Sequence, residues 1–220
     1  MTSDGKNGMK VIAIDGPAGA GKSTVGRAVA SRLGVDYLDT GAMYRAVTYA
    51  VLRRGVDPHD VAAVEDVAMS MELDIRDVDG ATQVVVDGED ATADIRGREV
   101  TESVSAVAAN SAVRAEMVER QRGWVTAHGG GVVEGRDIGS VVFPDADLKL
   151  YVTASTRVRA ERRVAEIGGD VDEVEASIIE RDRKDSSRAD SPLVEASGAI
   201  LVDTSGVPID AVVDRVLEML

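Results

Sequence analysis

Gly16-Pro17-Ala18-Gly19-Ala20-Gly21-Lys22-Ser23, followed by Thr24, sets glycines, a lysine and a hydroxyl in the spacing G-x-x-x-x-G-K-[ST]. These residue types suit an anion carrying several phosphates. Glycines let the backbone curl so that successive N–H groups point inward without Cβ clashes. A helix that starts at the end of the loop adds its unpaired N–H groups and the positive end of its dipole. Lys22 then reaches the β- and γ-phosphates of a nucleotide, and the Ser23 hydroxyl is placed to ligate a Mg²⁺ shared with them. A plain glycine-rich turn has similar composition, so the flanks decide. Met9 to Asp15 is an apolar run of strand length, and Val25, Val29 and Leu33 recur four apart after the loop. Strand, glycine-rich loop and helix together predict a nucleoside triphosphate site over residues 16–24.

Other residues with chemical potential sit where further strands should end. Asp39-Thr40-Gly41-Ala42-Met43-Tyr44-Arg45 follows a short apolar run, and Gly135-Arg136-Asp137 follows another. Arg45, one helical turn past Gly41, either aims back at the loop or is a surface arginine. Arg136-Asp137 is either a ligand set or a local ion pair capping a turn. Arg181, Asp182, Arg183, Lys184, Asp185 and Arg188 form either a site or a charged helix face. Their shared placement at strand ends, with an excess of arginine, favours function. Only five of 25 basic residues are lysine, and seven arginines fall between Arg157 and Arg188. Arginine recognises phosphate in a bidentate way that lysine does not. His59 and His128 lie in polar surroundings and are not expected to act as bases. Trp124 and Phe143 are expected in the core.

The elements that must position these groups follow from periodicity and punctuation. The first helix is predicted from Lys22 to Leu33, stopped by Gly34, and a second strand over 35–38. Thr40 is expected to cap a helix ending near Gly55, with Ala46, Ala50 and Val51 on one face. From Asp57 to Glu102 there are 14 acidic residues and three arginines. A helix over 61–69 precedes short strands over 72–76, 82–86 and 90–95, separated by Asp79-Gly80 and Asp87-Gly88, both hairpin signals. This is read as an inserted antiparallel subdomain with a solvated acidic surface. Helices over 99–109 and 111–128 follow, the second capped by Ser111. Strands are expected over 132–134, 148–152 and 199–202, and helices over 155–167, capped by Ser155, over 172–184, and from Pro208 to Leu220. Helices separating all the parallel strands give a doubly wound five-stranded parallel α/β sheet, with ligands at the carboxyl ends of its strands.

Composition sets outer bounds. A chain of 220 residues buries about 70% of its unfolded surface, enough for one substantial core. Cysteine is absent, which excludes disulfides and thiolate chemistry and suits a cytoplasmic protein. No apolar run reaches the ~20 residues of a membrane span, and residues 1–8 read as a flexible polar tail. The net charge of −14 argues against general nucleic-acid binding. An enzyme for small anions needs positive charge only locally.

With these residues assembled, the chain resembles the bacterial cytidylate kinase family from about Lys10 to Leu220. IDGPAGAGKST at 14–24, YLDTGAMYR at 37–45, SAVAANSAVR at 105–114, EGRDIGSVVFPDADLKLYV at 134–152 and ERDRKDSSRADSPL at 180–193 carry the resemblance. Five motifs in order are far more specific than any one alone. The resemblance implies a P-loop nucleoside monophosphate kinase fold over 9–220. Its monophosphate-binding region spans 40–128, including an antiparallel insert at about 72–96, and its helical lid spans 155–190. It implies that ATP, with Mg²⁺ held in part by Ser23, phosphorylates CMP or dCMP in pyrimidine nucleotide metabolism, in the cytoplasm and as a monomer. Gly16 to Thr24 would bind ATP. Ser105, Arg114 and Asp137 would contact cytosine, and Arg45, Arg136 and Arg188 the acceptor phosphate. Arg181 and Asp185 would reach the sugar, and Thr40 and Tyr44 would line the pocket. Lys22, Arg136, Arg159 and Arg163 would be catalytic, Arg159, Arg162 and Arg163 belonging to the lid with Gly168-Gly169.

Phosphoryl transfer of this kind is positioning plus charge neutralisation, so no strong base is expected. Two rival classes are weaker. Another small-molecule P-loop kinase, acting on AMP, UMP or shikimate, accounts poorly for the insert and for 105–114. A GTPase-like switch would carry N-K-x-D, and no such tetrapeptide occurs.

Overall fold

The computed structural model describes residues 10–220 except Asp79 and Ala189; the expected tail at 1–8 lies outside the described residues. Five parallel strands form the central sheet: β1 (Lys10–Asp15), β2 (Tyr37–Asp39), β6 (Gly130–Gly135), β7 (Leu148–Thr153) and β8 (Ile200–Asp203), in the order β2-β6-β1-β7-β8. β1 is central, with Ile12 facing Val132 on one side and Leu148 on the other. Its residues alternate between the two faces, as a strand must. Ile12 and Ile14 pack beneath α1 (Lys22–Leu33) and α8 (Ile209–Leu217). Val11 and Ala13 join the core of α2 (Thr40–Arg53), α3 (Val61–Ser70), α4 (Arg98–Val107) and α5 (Ser111–His128). Helices on both faces explain why β1 and β6 are apolar and buried almost end to end.

The inserted sheet is also present. β3 (Leu73–Val78), β4 (Ala81–Val86) and β5 (Glu89–Asp90) are antiparallel in that order. Asp87 and Gly88 both have positive φ, 51° and 81°, the tight-hairpin geometry that Asp-Gly selects. Ile75, Val84, Val86 and Ile95 are buried in the same core as α2 and α4, so the insert is anchored from below. Arg27 of α1 ties its edge, donating to Asp77 Oδ2 at 3.1 Å and to Thr82, over the Tyr37 ring.

Several local expectations are corrected. The N-cap of α2 is Asp39, whose Oδ1 accepts from the Ala42 N–H at 3.0 Å; Thr40 already lies in the helix. Asn110 displaces Ser111 as the cap of α5, accepting from Ala112 and Val113. Asp170 caps α7 (Val171–Ser186), two residues before the expected start. In each case the cap sits before the first hydroxyl or acid that propensity favours, because the preceding side chain reaches the N2 and N3 amides. The strand expected over 90–95 stops at Asp90. Asp90 accepts from the Thr92 N–H and turns the chain into a 3₁₀ turn, Asp94–Arg96. No α-helix separates β6 from β7; a π-helical turn, Ile138–Val142, does. Leu33 is 40% exposed at the end of α1 and not on its buried face. Trp124 and Phe143 are half-buried at the core's margin, Trp124 stacked on the exposed His128.

Candidate functional site

The carboxyl ends of the parallel strands open into one cleft of about 940 Å³. Its walls carry eleven cationic side chains against five carboxylates, in a chain of net charge −14. The acidic surface and the cationic cleft are therefore different regions of the molecule.

The glycine loop forms one wall. Gly16 has φ 145°, and a Cβ there would lie 1.9 Å from the Val152 carbonyl oxygen of β7, so only glycine lets β1 turn so close to its neighbour. Gly21, at φ 89°, ends the loop and starts α1. Lys22 is buried and donates from Nζ to the Pro17 carbonyl at 2.9 Å, lying across its own loop. Burial and the nearby Arg136 charge push its ammonium below the ordinary lysine range. Ser23 Oγ donates to Glu134 Oε1 at 2.7 Å. Glu134 stands at the end of β6, where the register places it between Ile14 of β1 and Asp39 of β2. Burial, then the Asp39 charge, pushes its carboxyl up. Its Oε2 is buried without a hydrogen-bond partner among the described residues.

Behind the loop, Asp15 takes the N–H groups of Ile138 at 2.8 Å and Gly139 at 2.7 Å. Burial pushes its carboxyl up to about 6 despite those two donors. Asp15 thus joins the triphosphate loop to the turn that carries Arg136 and Asp137. Arg159, on α6 (Thr156–Ile167), makes a second junction. It donates to Ala18 O of the loop at 3.1 Å, to Ala154 O at 3.0 Å and to Asp182 of α7 at 2.7 Å. Arg162 donates to Thr204 after β8, and Thr204 in turn donates to Ala20 O. Arg163 lines the cleft at its exposed edge, paired with Glu166.

The rest of the cleft lining carries guanidinium groups from distant segments. Arg114 of α5 is buried, donates to Asp137 and to Ala108 O at 3.1 Å, and lies 5.3 Å above the Tyr44 ring. Arg136 donates to Asp185 at 3.1 Å, and Arg188 donates to the other oxygen of the same carboxylate. Burial raises the Asp185 carboxyl, but the charges of Arg136, Arg188 and Arg181 outweigh it and hold the group below the ordinary range. Arg45 donates to Ile95 O and Thr101 Oγ1. Thr40 donates to Glu134 O at 2.6 Å, which fixes the start of α2 to the end of β6. Ser105 of α4 also lines the cleft.

Arg181 stands apart. It lines the cleft with no ion pair among the described residues, and its Nε is buried without a partner. Burial, then Arg136, pushes it down to about 10. A half-buried guanidinium with no direct ion pair is costly unless an anion joins it. The site residues expected from sequence therefore line this one cleft or, in the case of Gly16, Pro17 and Ala20, complete the loop behind it. Asp15 and Glu134 were not singled out in sequence. A carboxylate at the end of a predicted strand, in a cleft that binds anions, is the signal that would have found them.

A family model described as cytidylate kinase matches residues 12–220. The chain belongs to the cytidylate kinase family. It is 50% identical over 212 residues to a cytidylate kinase of Rhodococcus opacus (strain B4), covering 94% of this chain and 93% of that protein. It is 52% identical over 215 residues to a bifunctional pantoate ligase/cytidylate kinase of Parasynechococcus marenigrum (strain WH8102), covering 94% of this chain and 43% of that protein. The chain thus spans less than half the length of such bifunctional relatives. Among solved structures, TT1252 from Thermus thermophilus matches with a TM-score of 0.51 at 17% identity, over 96% of this chain and 95% of that one. A gluconokinase from Sinorhizobium meliloti 1021 matches with a TM-score of 0.50 at 14% identity, over 96% and 90%. These two establish the fold alone. Among the described residues no helix is long and apolar enough to cross a membrane.

Proposed function

We propose that the chain transfers the γ-phosphate of ATP to CMP or dCMP, giving ADP and CDP or dCDP. One observation carries this reading: Arg45, Arg136, Arg181 and Arg188 gather in the same cleft as Lys22, and Arg181 has no partner of its own among the described residues. A triphosphate occupies residues 16–24, where loop amides and the α1 terminus face the anion. Lys22 leaves the Pro17 carbonyl for the β- and γ-phosphates. The acceptor is already an oxyanion at neutral pH, so the arginines need only overcome its repulsion from the γ-phosphate. Arg114 and Asp137, a buried pair beside Tyr44, supply donors and an acceptor for the cytosine edge. Arg181 and Asp185 lie toward the sugar.

Ser23 and Glu134 fit a Mg²⁺ bound with the nucleotide. The hydroxyl is poised on one carboxylate oxygen, and the other is buried and unsatisfied. Among the described residues no group of three or more His, Cys, Asp or Glu side chains forms a metal site, so phosphate oxygens would complete the shell. The ion would neutralise charge on the β- and γ-phosphates.

Residues 40–128 form the monophosphate-binding region and 155–190 the lid. Arg159 supports the second assignment, since one side chain links the loop, α6 and α7. Closure of such a segment excludes water that would otherwise hydrolyse ATP. The protein acts as a cytoplasmic monomer and does not bind nucleic acid. Comparing initial rates of transfer from ATP to CMP, dCMP, UMP and AMP tests the reading. CMP and dCMP should give the highest kcat/KM, and a preference for AMP would overturn it.

A further inference from the structure

The acidic insert carries three arginines from Asp57 to Glu102, and their surroundings differ. Arg76 is exposed and paired with Asp74, and Arg98 is exposed and paired with Glu102. Arg96 lines the cleft with no ion pair among the described residues. Its position is fixed from behind. Ile95 is 1% exposed in the shared core. The 3₁₀ turn is closed by backbone bonds from Ile95 N to Ala91 O, Arg96 N to Ala93 O and Gly97 N to Asp94 O. Arg45 holds the turn directly, donating from Nη1 to Ile95 O at 3.1 Å and to Thr101 Oγ1 at 2.9 Å.

Arg45 thus uses one arm of its guanidinium to hold the backbone turn that carries a second arginine. Arg45 is pushed below the ordinary arginine range by burial first, and then by Arg96 as the largest neighbouring charge. Two like charges fixed together by a shared turn repel each other until an anion enters between them.

We propose that Arg96 is a further substrate-binding residue, gripping the phosphate of the nucleoside monophosphate beside Arg45, and that it is the insert's direct contribution to the site. This rests on reading the guanidinium wall as the monophosphate site. An acidic insert with one unpaired arginine at the cleft repels nucleotide elsewhere on its surface and admits it at one point.

The test compares Arg96→Ala and Arg96→Lys with Arg76→Ala and Arg98→Ala, using steady-state kinetics and calorimetric binding of CMP and of cytidine, which lacks the phosphate. Loss of one charged phosphate contact at the cleft edge should raise the KM for CMP about tenfold in Arg96→Ala. The KM for ATP and the affinity for cytidine should stay at wild-type values, and Arg96→Lys should recover part of the loss. Arg76→Ala and Arg98→Ala should match wild type. CMP binding unchanged in Arg96→Ala, or CMP and cytidine weakened equally, would overturn the proposal. A wild-type protein that phosphorylates no nucleoside monophosphate would instead remove the reading beneath it.

Discussion

The two walls of the cleft hold anions by different means. The loop wall is one contiguous stretch, residues 16–24, built from backbone amides and a single buried ammonium. Lys22 and Ser23 are satisfied within the molecule, on Pro17 O and on Glu134. The guanidinium wall draws Arg45, Arg114, Arg136, Arg181 and Arg188 from four separate parts of the chain. Peptide dipoles need no counter-charge, so they pack closely and locally. Guanidinium groups repel one another, so this wall also needs carboxylates: Asp137 for Arg114, and Asp185 for both Arg136 and Arg188. One wall is thus fixed by backbone geometry, while the other is an electrostatic assembly whose acids matter as much as its bases.

Five substitutions probe that contrast, from the strongest to the weakest. Lys22→Ala removes the only side-chain charge of the loop wall, and kcat should fall by ~10²-fold or more with the protein still folded. A kcat within a few-fold of wild type would assign the loop wall's work to its amides alone. Arg181→Ala should raise the KM for CMP about 10- to 100-fold and leave that for ATP unchanged, as loss of a charge-assisted contact does. Equal loss for both substrates would mean the walls are not separate sites. Arg114→Ala should weaken CMP far more than ATP and also destabilise the fold by roughly 3 kcal/mol, because Asp137 is left buried alone. Pairing it with Asp137→Ala should recover stability, seen in urea unfolding, but not CMP affinity. Recovery of both would make the pair structural only.

The smallest effect concerns pH and the junction between the walls. The Asp15 carboxyl is raised to about 6 from about 3.8 by burial. Its contribution to stability is therefore fully present below the unfolded value and is lost as pH rises through 6. Asp15→Asn does not titrate. Between pH 4 and pH 7 the stability difference should move in the variant's favour by up to roughly 3 kcal/mol. A difference constant with pH would show that the carboxyl is as comfortable folded as unfolded. The KM for CMP should still rise in the variant, because Ile138 and Gly139 donate to different carboxylate oxygens and the amide NH2 that replaces one of them cannot accept.

The same contrast explains what the sequence made legible. The loop wall could be read directly because its chemistry is contiguous and its flanks alternate as strand and helix demand. The parallel strands were visible as short apolar runs, although β2 and β8 begin later than their apolar residues suggest. The arginines of the other wall were ambiguous one by one, and only their common position at strand ends and the family resemblance joined them. Glu134 and Asp15 stood at predicted strand ends, but their partners were not legible, because they lie on segments more than a hundred residues away. Arg96 was hidden by its neighbours, since an arginine among aspartates reads as solvated until the chain turns at Asp90.

Central placement of β1 carries a cost in time. Both strands that flank it are synthesised over a hundred residues later, so a nascent chain cannot grip nucleotide while its Gly16 turn still lacks the Val152 carbonyl against which it is moulded. Ligand-assisted folding is thereby deferred until the last third of translation, and a ribosome stalled before β6 would present an apolar strand with neither edge covered.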